Sequence, residues 1–141
     1  MGNNLSINKI NFEDMKYMQN NSNSIIINTM EPYKQNCLIE GTLPISKEET
    51  TLNNLLSKGK LEENIIIYGE NSTDNTLIKK YNQLNKLGFI NVYIYMGGLF
   101  EWLLLQDVYG TEEFPTTKQE LDILKFKPCG IISGQTRYLM A

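Results

Sequence analysis

The chain has 141 residues, a formal net charge of −3, one arginine (Arg137) and no histidine. That length suits one domain with a real core and is too short for two comfortable ones. The missing histidine removes Ser-His-Asp and Cys-His catalysis and the commonest zinc ligand, and mixed charge with a single arginine argues against a nucleic-acid partner.

The start, "MGNNLS", fits the N-myristoylation pattern with Gly2 as acceptor, although Met-Gly starts and a nearby serine are common without lipid. A membrane is expected as a partner only if Gly2 is acylated, because the densest apolar run, "FEWLLL", is far short of the ~20 residues of a span. A short strand is expected around Ile7 to Ile10. Asn11 can then cap a helix over "FEDMKYM", with Asp14 in its first turn.

Three runs, "SIIINT", "NIIIYG" and "NVYIYMGG", are short, rich in β-branched or aromatic residues, and apolar without strict alternation. Strands covered on both faces read this way. A further strand at "GTLPI" brings the expected sheet to about five. Between the strands, Leu52, Leu55 and Leu56 make one helix face. Leu77, Tyr81, Leu84 and Leu87 make another, with Gly88 as its stop. After Gly97-Gly98, Leu99, Trp102 and Leu103 share a face. The order is that of an α/β protein with a mostly parallel sheet and helices on both sides. The domain is expected over residues 1–109. Residues 110–141 form a C-terminal extension, in which Thr117 and Glu120 read as a capping box. The short helix it opens, near Lys118, would turn Leu121 and Leu124 onto the domain or a partner. The tail from Pro128 onward carries mixed signals.

No metal or other cofactor is expected. Glu48-Glu49, Glu62-Glu63 and Glu112-Glu113 are adjacent pairs whose side chains diverge, and they read as solvated surface. Gly97-Gly98 is no dinucleotide fingerprint. It reads instead as a tight turn from strand into helix. Tyr93, Tyr95, Phe100 and Trp102 read as packing. The two cysteines, Cys37 and Cys129, form neither a disulfide framework nor a metal spacing. With no secretory signal legible at the start, a cytoplasmic setting is expected.

Several of these blocks resemble the rhodanese family. "IIINTMEPYKQNCLIEGTLPIS" is similar to the family's L-I-D-V-R-E-P followed by G-H-I-P-x-A. "LGFINVYIYMGGLFEWLL" is similar to L-G-F-x-N-V-x-x-L-x-G-G-x-x-x-W. The resemblance runs from about Ile7 to Gln106. The continuation "GGLFEWLLLQDVYGTEEFPTT" looks like short rhodanese-like proteins of large DNA viruses and protists. It implies a rhodanese-like α/β fold with an anion-cradling loop after the fourth strand. In catalytic members that loop opens with a cysteine whose thiolate carries the sulfane sulfur.

Laid on this chain, the cysteine position is Gly69, and the loop is Gly69, Glu70, Asn71, Ser72, Thr73 and Asp74. Asn28 and Met30 stand where the family has Asp and Arg, and Cys37 stands where it has His. Gly69 cannot attack. Ser72 and Thr73 lack an adjacent base and read as caps of a helix starting near Asp74. Glu70 and Asp74 would disfavour a thiolate beside them. The resemblance thus implies a protein without catalytic residues that acts through a protein partner or larger assembly, a virion among the candidates. The alternative is a thiol-dependent sulfurtransferase or phosphatase-like enzyme using Cys37 or Cys129. A third reading is a sensor of small anions held by the loop amides. Cys37 otherwise reads as a small buried residue and Cys129 as an exposed thiol.

Overall fold

The computed structural model describes residues 7–21 and 23–132. The strands are β1 (Lys9–Ile10), β2 (Ser24–Asn28), β3 (Asn64–Tyr68) and β4 (Asn91–Tyr95). The helices are α1 (Phe12–Gln19), α2 (Ile45–Ser57), α3 (Thr76–Leu87) and α4 (Gly98–Tyr109). Two 3₁₀ turns, Pro32–Lys34 and Ile123–Phe126, complete the elements among the described residues. The sheet has the order β1-β4-β3-β2, and all its pairs are parallel. Gly2 and Arg137 lie outside the described residues.

The strands explain their own composition. Ile66 and Tyr68 of β3 point to one face with Ile26 and Tyr95. Ile65 and Ile67 point to the other with Ile27, Val92 and Ile94. Because side chains alternate and both faces are covered, the run is apolar throughout. One layer is closed by Met15 of α1 and by Leu99, Trp102 and Leu103 of α4. The other is closed by Leu52 of α2 and by Leu77, Tyr81 and Leu84 of α3. Leu87, expected on that α3 face, is instead exposed at the end of the helix.

Local signals decide several boundaries as expected. The Asn11 side chain accepts from the Asp14 amide at 2.9 Å, and Asp14 accepts in return from Asn11, which completes a capping box. Gly88, at φ +110°, ends α3 in the left-handed region that favours glycine.

Two expectations require correction. Among the described residues the sheet has four strands: "GTLPI" contributes a single parallel bridge, Thr42 with Ile26. The Thr42 hydroxyl bonds Ile39 O and Tyr68 Oη. Two residues on, Pro44 has no N–H for a ladder, so the strand cannot extend. In the extension, no helix begins near Lys118. Thr117 Oγ1 instead accepts from Leu38 N at 3.0 Å, and a 3₁₀ turn follows only at Ile123–Phe126 among the described residues. Leu121 and Leu124 are 83% and 62% exposed, while Phe114 and Phe126 are buried.

The extension nevertheless lies against the domain. Trp102 Nε1 donates to Pro115 O at 3.0 Å. Gln106 Nε2 donates to Phe114 O at 2.7 Å. Leu38 and Thr117 exchange further bonds, and Ile39 bridges Thr116 in antiparallel fashion. Lys16 pairs with Glu113 at 2.8 Å and lies over the Phe114 ring.

Candidate functional site

The loop from Gly69 to Asn75 joins β3 to α3 at the C-terminal edge of the parallel sheet, where α/β proteins place their ligands. Its backbone is held by α4. Leu99 N donates to Gly69 O at 2.9 Å, and Phe100 N donates to Glu70 O at 2.8 Å. The approach requires Gly98: its φ is +67°, and a Cβ there would stand 2.6 Å from Gly69 O. This is the physical content of the Gly97-Gly98 pair.

Asp74 fills the centre of the loop. Its Oδ1 accepts from Thr76 N at 3.0 Å and from Thr76 Oγ1 at 2.5 Å. Its Oδ2 receives a longer bond, 3.4 Å, from Glu70 N. A Cβ built on Gly69 would overlap that same Oδ2 and approach Thr29 Oγ1. The carboxylate therefore takes a loop amide and the space in front of position 69. This corrects the expected cap. Neither Ser72 nor Thr73 caps α3, which starts at Thr76, and Asp74 serves its first amide. Thr73 is engaged elsewhere: its N and Oγ1 both donate to Asn71 Oδ1, at 2.9 and 2.7 Å. Asn71, which is buried, also donates from Nδ2 to Phe126 O at 2.9 Å, tying the loop to the extension.

Glu70 reaches outward to Lys34, Nζ to Oε2 at 2.7 Å. The hydrogen bond to Glu70 raises the Lys34 pKa from its ordinary value. Beside this pair lies a cleft of about 360 Å³ lined by Tyr33, Lys34, Cys37, Glu120, Lys125 and Phe126. Cys37 is 4% exposed in its wall, and its Sγ donates to Lys118 O at 3.2 Å. Burial pushes the thiol pKa up, which favours the protonated, weakly nucleophilic form. Cys129 is exposed. Among the described residues no group of three or more His, Cys, Asp and Glu could hold a metal ion. No described helix is long and apolar enough to cross a membrane.

The expected loop residues thus come together, with Asp74 inward and Glu70 outward. The reading of the sequence named Asn28 only as a departure from the family pattern and missed Lys34 and Gln35. Asn28 is buried and forms reciprocal amide bonds with Gln35, at 2.7 and 3.0 Å. Its Oδ1 also accepts from Met30 N, so it braces the turn that carries Lys34. A polar residue ending an otherwise apolar strand was the available signal.

A family model described as a rhodanese-like domain matches residues 11–105. Among solved structures, the crystal structure of the Alr3790 protein from Anabaena sp. is similar at a TM-score of 0.56 and 20% identity, over 92% of this chain and 91% of that one. The solution structure of the rhodanese-like domain from the same protein gives 0.54 and 21%, over 89% and 87%. A cysteine-to-alanine variant of EanB, solved with hercynine, gives 0.54 and 17% over 69% of this chain, which spans 26% of that one. At these identities the likeness is one of fold. No curated protein matches the chain.

Proposed function

Because the chain belongs to the rhodanese-like domain family, we propose that its β3–α3 loop is a vacated sulfurtransferase site and that the protein works as an interaction or structural module. One observation carries the reading. The Asp74 carboxylate lies where the side chain of residue 69 would project, and it accepts from the Glu70 amide. A sulfurtransferase needs a thiolate at the first loop position and free amides around it for an anion. Here glycine supplies no sulfur, and an internal carboxylate stands in the anion's place. The same carboxylate counts against a small-anion sensor. The fold remains as a rigid platform for a protein partner or a larger assembly, and the resemblance to viral proteins makes a virion one such assembly.

The alternative, a displaced thiol, draws on Cys37, which borders a cleft next to the loop. Its burial, its bond to Lys118 O and its raised pKa count against it. Sulfur transfer from thiosulfate to cyanide decides the matter. No turnover is expected from the unmodified protein. Turnover that disappears in Cys37→Ser or Cys129→Ser would replace this reading with the thiol enzyme. Gly69→Cys alone is expected to restore little activity, because Asp74 occupies the space its sulfur would need. Gly69→Cys with Asp74→Ala is the variant in which recovery is expected first.

A further inference from the structure

Among the described residues, none covers the outer face of α4. Of the polar side chains in "GLFEWLLLQDVY", Glu101 turns inward to accept from Tyr95 Oη at 2.6 Å. Gln106 turns inward to Phe114 O and Thr116 Oγ1. The outward side is left to Leu104 and Val108, one turn apart, with Asp107 beside them, while Phe100 packs against the core. Leu104 and Val108 are 41% and 71% exposed, and on the adjoining extension so are Leu121 and Leu124. A helix that is apolar on every side normally has neighbours on every side.

The charges near this face are arranged lengthwise. The extension runs antiparallel to α4. Its residues 119–121 line a groove with Leu103, Gln106, Asp107 and Gly110, and Phe126 is bonded to the loop at the other end of the helix. Lys127 therefore stands near the N-terminal end of α4, while Asp107 and Glu112 stand near its C-terminal end. All three are exposed, and none has an ion pair among the described residues.

We infer that two copies of this chain pair through the outer faces of α4, antiparallel about a two-fold axis near Leu104. An isologous contact needs a self-complementary patch. A two-fold here lays Leu104 and Val108 against the same residues of the second copy, as ridges into grooves. It also brings each Lys127 towards the other copy's Asp107 and Glu112. The inference goes beyond the reading of the loop and does not depend on it.

Sedimentation equilibrium on the full chain, over a wide concentration range, tests the pairing. The expected result is a dimer that Leu104→Glu with Val108→Glu converts to a monomer, whereas Ile78→Glu on the outer side of α3 leaves the dimer intact. Asp107→Lys should weaken the dimer severalfold, and adding Lys127→Glu should restore it, which no parallel arrangement predicts. A monomer at every concentration overturns the inference, as does a dimer indifferent to the α4 substitutions. If the double glutamate variant loses its circular dichroism signature, the charge swap alone decides: failure of Lys127→Glu to rescue Asp107→Lys overturns it.

Discussion

Gly98 and Asn71 show how single residues shape the β3–α3 loop. Gly98→Ala would place a methyl group against Gly69 O and the Asn71 amide at a positive φ. Neither backbone can retreat without breaking the bonds that Leu99 and Phe100 donate. A loss of roughly 2–4 kcal/mol is expected, read as a lower midpoint in urea unfolding. Asn71→Ala removes the buried partner of Phe126 O. The cost should be about 1–3 kcal/mol, and the amide of Thr73 should exchange faster once its acceptor is gone. Asn71→Asp tests the direction of that bond, because a carboxylate still accepts from Thr73 but cannot donate to Phe126.

Among the elements, the extension is the one whose character changed most between expectation and observation. The amphipathic pattern around Leu121 and Leu124 suggested a helix. The structure uses Phe114, Ile123 and Phe126 instead, held by carbonyl acceptors at Phe114, Pro115 and Phe126. Such bonds depend on which surface the segment meets, and no local periodicity encodes that. Amide exchange should therefore show protection at Phe114 and Thr117, whose N–H groups donate to Gly110 O and Leu38 O, and little at the exposed Leu121. Phe126→Ala should cost about 3 kcal/mol and loosen the segment. Leu124→Ala should be nearly neutral in the monomer, since that side chain is largely in water.

For the whole molecule, pH acts at two ends. Glu113 and Glu120 have pKa values lowered by hydrogen bonds to Lys16 and Lys125. A lowered carboxylate contributes stability above its unfolded pKa and loses it as the pH falls through the folded one. Acidification below the ordinary carboxylate range should therefore loosen the extension first, by a small amount because both groups are exposed. At the alkaline end, burial raises Tyr68 and Tyr95, and the bond to Glu70 raises Lys34. A raised pKa contributes stability below the unfolded value and loses it as the pH rises towards the folded one. Thermal midpoints should fall above about pH 10, where free tyrosine ionises. Tyrosinate absorbance from Tyr68 and Tyr95 should appear only with unfolding; its appearance in the folded protein would contradict their burial.

The sequence by itself determined the class of fold. Three apolar runs with no alternation imply a sheet covered on both faces. The spacing of Leu77, Tyr81 and Leu84, the Asn11 capping box and Gly88 place helices and their ends. These features are local, so periodicity and capping suffice to read them. The identity of residue 69 is equally plain in one line of text. Only the tertiary structure decided that the Asp74 carboxylate occupies the space before Gly69, that Asn71 and Gln106 hold the extension, and that α4 turns Glu101 and Gln106 inward and leaves Leu104 and Val108 outside. Each of these depends on which backbone groups, far apart in the chain, meet at the edge of the sheet. A buried carbonyl must find a donor wherever the fold brings one, and no spacing in the sequence records where that will be.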